Sequence, residues 1–375
     1  MLKAIVNAKI VNSDGIIDNQ VVIFGKQINA IVPKDELARY SPEVTIDAKG
    51  AYLSAGFIDL HIHGNGGVDV MDATPDALET IALNLTRSGT TSFLATTMSM
   101  SQDRIFRAID NIVSCLSNTK GANVLGVHLE GPFLSLSQVG AQDKSALVPP
   151  QIEWIEKYHQ YIKMITFAPE ESYDFTREIS RLYPDIVLSI GHSNASFKEA
   201  KKAFSCGVRH ATHLGNAMSK WHHREPGVIG AVLDDDRVTC DMIADGLHLH
   251  DATLRLFWKI KQEKLALITD AIRATFMGDG EYDLGGQCVH VTNNTARLKN
   301  GALAGSVLKL NEALRKMSQI GDIAMPQLIA SVTKVPAEIL RLKNKGFIKS
   351  GADADMVLFD ENFDILTTIV GGEIY

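Results

Sequence analysis

From about residue 52 to residue 345 the sequence alternates short apolar runs with stretches of helical period, and this rhythm restricts the fold more than any other feature. It is the pattern of βα units feeding a parallel sheet. Eight candidate strands stand out: Phe57–Ile62, Ser92–Thr96, Val124–Leu129, Met164–Ala168, Ile186–Ile190, Val208–Leu214, Val238–Ala244 and Leu265–Thr269. Nearly continuous in apolar residues, they read as strands buried on both faces. Several intervening segments carry helix signals. Thr74-Pro75 offers an N-cap with Pro at N1, with Gly89 placed to end that helix. Ser196 with Glu199 makes a capping box closed by Gly207. Residues 216–236 read mostly as loop, with at most one short helix. Together these features predict an α/β chain, a (β/α)8 TIM-type barrel. An open doubly wound sheet fits less well, because no Gly-rich phosphate loop follows an early strand.

The two ends read differently. Lys3–Val11 and Gln20–Phe24 are rich in Ile and Val and are punctuated by Asp14-Gly15 and Gly25-Lys26. After residue 345 the text returns to strand, at Gly346-Phe347, Gly351–Phe359 and Ile369–Tyr375. The expectation is a small β-sandwich domain built from residues 1–51 and 346–375, beside a catalytic barrel over 52–345.

Charge excludes one class of partner. With 37 Lys plus Arg against 44 Asp plus Glu, and no basic run, the chain lacks the footprint of nucleic-acid binding. An anionic ligand must be met by a few local cations. No window approaches a membrane span, and the N-terminus lacks the plan of a signal peptide. The four cysteines are far apart without a CxxC pair, which argues against a disulfide framework or a zinc ribbon. A cytoplasmic protein without nucleic-acid or membrane partners is expected.

His61-Ile62-His63 lies where the first strand ends, and alternation puts both imidazoles on one face, within reach of one metal. With 12 histidines in 375 positions, such a triplet arises by chance about 0.4 times per chain, and His248-Leu249-His250 is a second. Position carries more weight. Glu130 follows the third strand, His192 the fifth, His213 ends the sixth and Asp270 ends the eighth. Ligand-type residues thus stand at the C-terminal ends of five strands, the face where barrel enzymes build active sites. Imidazoles and carboxylates without thiolate suit a borderline divalent ion, Zn2+ or else Fe2+. Such an ion acidifies its bound water to a pKa of roughly 7 and polarises a carbonyl. Amide hydrolysis also needs a group that takes a proton from the attacking hydroxide and gives one to the leaving amine. Asp270 is the candidate for both, with plain metal ligation as its other reading.

Gly56–Gly64, the Glu130 segment, His192, His213, Asp270 and the paired β-rich ends together resemble the amidohydrolase superfamily. Finer matches resemble the N-acetylglucosamine-6-phosphate deacetylases: Leu129–Phe133, Gly191–Ala195, Thr212–Met218, His223–Gly227, Ala244–His248 and Ala304–Ser306. The resemblance implies hydrolysis of N-acetylglucosamine 6-phosphate to glucosamine 6-phosphate and acetate. It implies Glu130, His192 and His213 as ligands of a principal metal and His61 and His63 at a second, so one or two ions per subunit. It further implies Asn216, Ala217, Arg224 and His248 on the substrate, the last two toward its phosphate, and a homodimer. A guanidinium matches phosphate bidentately. Where some members carry a His that polarises the acetyl carbonyl, this chain has Gln142, which donates a hydrogen bond but carries no charge. Gly215, where a bulkier residue is common, would widen the pocket.

Other readings keep the site and change the substrate: N-acetylgalactosamine 6-phosphate, an N-acyl amino acid, or a cyclic amide. The cyclic amidases usually use a carboxylated Lys, and no Lys ends the third or fourth strand. A catalytically dead binding module would lack a ligand or the base, and none is missing. A structural zinc site is usually closed and rich in Cys.

Overall fold

The computed structural model describes all 375 residues. Eight parallel strands stand side by side in chain order: Phe57–Ile62, Thr90–Thr96, Asn123–Glu130, Ile162–Phe167, Val187–Ile190, His210–Ala211, Thr239–Ile243 and Leu265–Ile268. Each overlaps one of the eight runs expected from sequence, and the sheet curls into a TIM-like barrel. Its core is continuous with the surrounding helices, because strand residues such as Phe57, Phe93 and Ile165 are buried together with helix residues such as Ile81, Ile109 and Phe204. The sixth strand is reduced to two residues, after which the chain turns through His213.

The seam between the first and eighth strands has no ladder of its own. In its lower half the amides of Ile58 and Leu267 donate instead to the carbonyls of Val332 and Ser331. In its upper half the Asp59 carboxylate accepts from the amides of His61 and Thr269 and from the Thr269 hydroxyl.

Helix signals take the expected places, with one difference. Thr74 accepts from the Ala77 amide and Pro75 opens a helix that ends at Thr86, before Gly89. Gly89, at φ +78°, instead turns the chain into the next strand. Ser196 and Glu199 form a reciprocal capping box, and Gly207 caps the same helix at its end. The single helix within 216–236 is Gly227–Leu233.

Two further sheets come from the chain ends. Lys3–Val6 lies in a four-stranded sheet, while Lys9–Asn12 joins a six-stranded sheet with Tyr52–Ala55, Met356–Phe359 and Ile365–Val370. The apolar run Lys3–Val11 is therefore two strands, broken at Asn7, whose φ of +58° carries the chain from one sheet to the other. Gly346-Phe347 lies outside the strands. A separate core that includes Ile5, Phe24, Leu53, Met356 and Leu358 fills the space between the two sheets. No helix is long and apolar enough to cross a membrane.

A candidate metal centre at the barrel mouth

The strand ends bring six ligand-type side chains to one buried point. His61 and His63 leave the first strand on one face, with their Nε2 atoms 3.1 Å apart. Glu130, at the end of the third strand, stands between two imidazole pairs. Its Oε2 is 3.4 and 3.2 Å from the Nε2 atoms of His61 and His63. Its Oε1 is 3.2 and 3.1 Å from those of His192 and His213. Asp270 closes the first pair, with Oδ1 3.5 Å from His61 Nε2 and 3.3 Å from His63 Nε2. All six are almost wholly buried.

Backbone strain marks three of these residues. His192, His213 and Asp270 have φ of +47°, +35° and +50°, a left-handed region that side chains with a Cβ seldom adopt. Each sits where a strand breaks off, and the turn aims the side chain inward. Hydrogen bonds hold the turns. The Asp270 amide donates to the His61 carbonyl, and its own carbonyl accepts from Ser306. The His213 amide donates to Asp241, which is also 2.8 Å from His210 Nε2. His192 Nδ1 donates to the Gln138 carbonyl at 2.8 Å, which fixes its Nε2 toward Glu130.

The donor set fits a divalent cation. Four Nε2 atoms and carboxylate oxygens stand 3.1–3.5 Å apart, near the edges of a coordination shell with metal–ligand bonds of roughly 2.0–2.2 Å. His61, Glu130 and His213 form one convergent group, and His61, His63 and Asp270 another. Without a cation, protons must balance the two carboxylates. Burial alone would push Glu130 up, but His61 and hydrogen bonds from His192 and His213 hold it well below the carboxylate range. Burial likewise opposes ionisation of Asp270, and the charges of His61 and His63 outweigh it, holding Asp270 at about 2. His213 rises to about 9 against the cost of burial, because Glu130 bonds to it. Beneath them His128 is held well below the usual imidazole range by burial and by His61, and so is neutral. Its Nδ1–H donates to the Leu60 carbonyl and its Nε2 accepts from the Thr166 hydroxyl.

A cavity of about 310 Å³ opens above these groups. Its wall includes His63, Glu130, Gln142, His192, His213, Asn216, Ala217, His248 and Asp270, with Met98, Leu284 and Leu303 as apolar patches. His61 lies below the floor. Gln142 donates from its amide nitrogen to Glu130 Oε2 at 2.9 Å and accepts from the Ser99 amide at 2.7 Å. Its hydrogen bond goes to the ligand cluster rather than into the open cavity. His248 is fixed by Asp245, whose Oδ2 is 2.7 Å from Nδ1. Arg224 is exposed and outside this wall, with its guanidinium 2.7 Å from His223 Nε2. Gly215, at φ +94°, would set a Cβ 2.9 Å from Leu249, so backbone geometry and packing both favour glycine there.

Residues absent from the sequence reading complete the centre. Asp59, Asp241, His128 and His210 are fully buried and hold the backbone or packing of the clustered side chains. Their signal was a charged or ionisable residue within an otherwise apolar strand, as in Phe57–Ile62. A three-stranded antiparallel sheet, Gly280–Leu284, Gln287–Thr292 and Thr295–Leu298, also follows the eighth strand and supplies Leu284 to the cavity wall.

A buried cluster of imidazoles and carboxylates at the C-terminal mouth of a (β/α)8 barrel defines a metal-dependent hydrolase, and the chain belongs to the amidohydrolase family, whose model matches residues 52–375. Within that family it is similar to N-acetylglucosamine-6-phosphate deacetylases. That of Lysinibacillus sphaericus is 42% identical over 335 residues, covering 88% of this chain and 87% of the relative. That of Bacillus subtilis (strain 168) is 39% identical over 378 residues, covering 97% and 95%. The crystal structure of the Pasteurella multocida enzyme of the same name superposes with a TM-score of 0.94 at 30% identity, over 100% of both chains.

Proposed function

We propose that the chain removes the acetyl group from N-acetyl-D-glucosamine 6-phosphate, giving glucosamine 6-phosphate and acetate. The observation that carries the reading is the single buried point where Glu130 meets four imidazoles with Asp270 beside them. Relatives that share most of the chain's length bear the corresponding name.

Glu130, His192 and His213 hold the principal ion in this reading, and His61 and His63 a second, with Zn2+ favoured over Fe2+ for a set without thiolate. When bound, the ion supplies Lewis acidity, activating water and polarising the amide carbonyl. The remaining work falls to side chains. Asp270, an anion at neutral pH, accepts a proton at its carboxylate as water adds to the carbonyl carbon. It then returns that proton to the amine nitrogen as the C–N bond breaks. Gln142 steadies Glu130. Asn216 and Ala217 orient the sugar, while His248 on the wall and Arg224 outside it are assigned to the phosphate. A homodimer belongs to the same proposal and is checked by sedimentation.

The test is acetate release from N-acetylglucosamine 6-phosphate by purified protein, before and after chelation and Zn2+ add-back. Release that disappears on chelation and returns with Zn2+ is expected. No release from protein that still holds tightly bound metal would overturn the substrate assignment and leave the family intact.

A further inference from the structure

The sheet that follows the eighth barrel strand carries a second set of ligand-type side chains, on its outer face. In the ladder between Gly280–Leu284 and Gln287–Thr292, Glu281 pairs with His290 and Asp283 with Cys288. Val289 and Val291 point inward and are buried, so Cys288 and His290, in alternation with them, share the outer face. Cys288 Sγ is 3.8 Å from His290 Nε2, and Glu281 Oε1 is 3.2 Å from His290 Nδ1. One ligand atom from each of the three lies within 4.8 Å of the others.

We propose that Glu281, Cys288 and His290 form a further divalent-metal site, selective for a zinc-type cation and separate from the catalytic centre. Tetrahedral ligands around zinc, with Zn–S of about 2.3 Å and Zn–N of roughly 2.0–2.1 Å, stand roughly 3.3–3.8 Å from one another. The thiol and imidazole are already at that spacing. The Glu281 side chain is 71% exposed and free to swing its carboxylate to the metal side of the ring. Water supplies the fourth position. A thiolate beside imidazole favours zinc over magnesium or calcium, which prefer oxygen ligands. The neighbouring cation, Arg297, is held away by its bond to the Gly301 carbonyl at 2.7 Å. Because both strands of the ladder supply ligands and Leu284 lines the catalytic cavity, the ion would pin that wall from outside.

Sulfur separates this site from the catalytic one, whose cluster contains no cysteine. The probe is therefore Co2+ alone, titrated into metal-free protein and followed by thiolate-to-cobalt charge-transfer absorption, with bound Zn2+ counted separately. Wild type is expected to show the sulfur band and to bind one equivalent more than Cys288→Ala or His290→Ala, both of which lose the band. All three side chains face outward, so matching thermal melts of the metal-free variants check that folding is intact. Absence of the band in wild type, or a band and stoichiometry unchanged in Cys288→Ala, overturns the proposal. Neither result depends on the acetate-release reading.

Discussion

The Asp59 carboxylate accepts the Thr269 hydroxyl at 2.6 Å across the barrel seam, tying the strand that bears His61 and His63 to the strand that ends at Asp270. The same carboxylate accepts the amides of Thr269 and His61, so one side chain bridges the two strands just before the backbone bond from the Asp270 amide to the His61 carbonyl. Its position carries a cost. Burial raises Asp59 to about 6, even against those three donors.

Asp59→Ala takes the carboxylate from two buried amides, those of His61 and Thr269, while the Thr269 hydroxyl keeps the His61 carbonyl as an acceptor. At roughly 1–3 kcal/mol for each unsatisfied group, less what entering water recovers, a loss of about 3 kcal/mol is expected in denaturant unfolding. Asp59→Asn keeps an oxygen for the two amides and should lose much less. A positioning role further predicts that Asp59→Ala binds metal more weakly at the His61–His63 pair. Full metal content in a destabilised Asp59→Ala would confine the residue to stability.

Asp270→Asn keeps the size of the side chain and its backbone bonds to His61 and Ser306, but removes the carboxylate proposed as the base. General acid–base catalysis typically contributes 10²–10⁴-fold, and kcat is expected to fall by about that factor. Bound metal, counted by emission spectroscopy, should remain near the wild-type level. A variant that keeps most of its turnover removes Asp270 from the proton-transfer role.

Metal-free protein should show an inverted pH response. His213 titrates at about 9 when folded, against an unfolded value of about 6.5. A raised folded value means that its contribution to stability is complete below about 6.5 and is lost as pH rises through about 9. Chelated protein should therefore melt at progressively lower temperature from pH 6.5 to pH 9. Metal binds the unprotonated ring, so affinity should increase over the same window, with proton release measurable by calorimetry in buffers of different ionisation enthalpy. A chelated protein whose melting temperature rises across that window contradicts the assigned protonation of the cluster.

The barrel strands and the convergence of six imidazole and carboxylate side chains at the mouth were legible because two simple patterns coincide. Parallel strands covered on both faces are apolar throughout, and the polar residue that ends such a run stands at the mouth. Gly280–Leu284 escaped the same reading because it buries only Leu284. The break at Asn7 hides inside an apolar run that looks continuous. Asp59 and Asp241 look like interruptions of a hydrophobic pattern until the seam and the His213 turn are known. Gln142 illustrates a different gap. Its place in the sequence indicates that it is near the site, but only the fold shows its amide turned toward Glu130.

His248 and Arg224 share the phosphate assignment yet stand in different surroundings, and kinetics can separate them. His248 is on the cavity wall with Nδ1 engaged by Asp245, which leaves Nε2 for a ligand. Arg224 is exposed beside His223. If both meet the phosphate, His248→Ala and Arg224→Ala should each raise KM for N-acetylglucosamine 6-phosphate roughly 10-fold or more with kcat nearly kept. Each should change kcat/KM for unphosphorylated N-acetylglucosamine much less, because an interaction made equally in ground and transition states appears in KM. Equal losses on the two sugars for Arg224→Ala would withdraw the guanidinium from the phosphate. The same result for His248→Ala would leave that side chain a role in shaping the wall through Asp245.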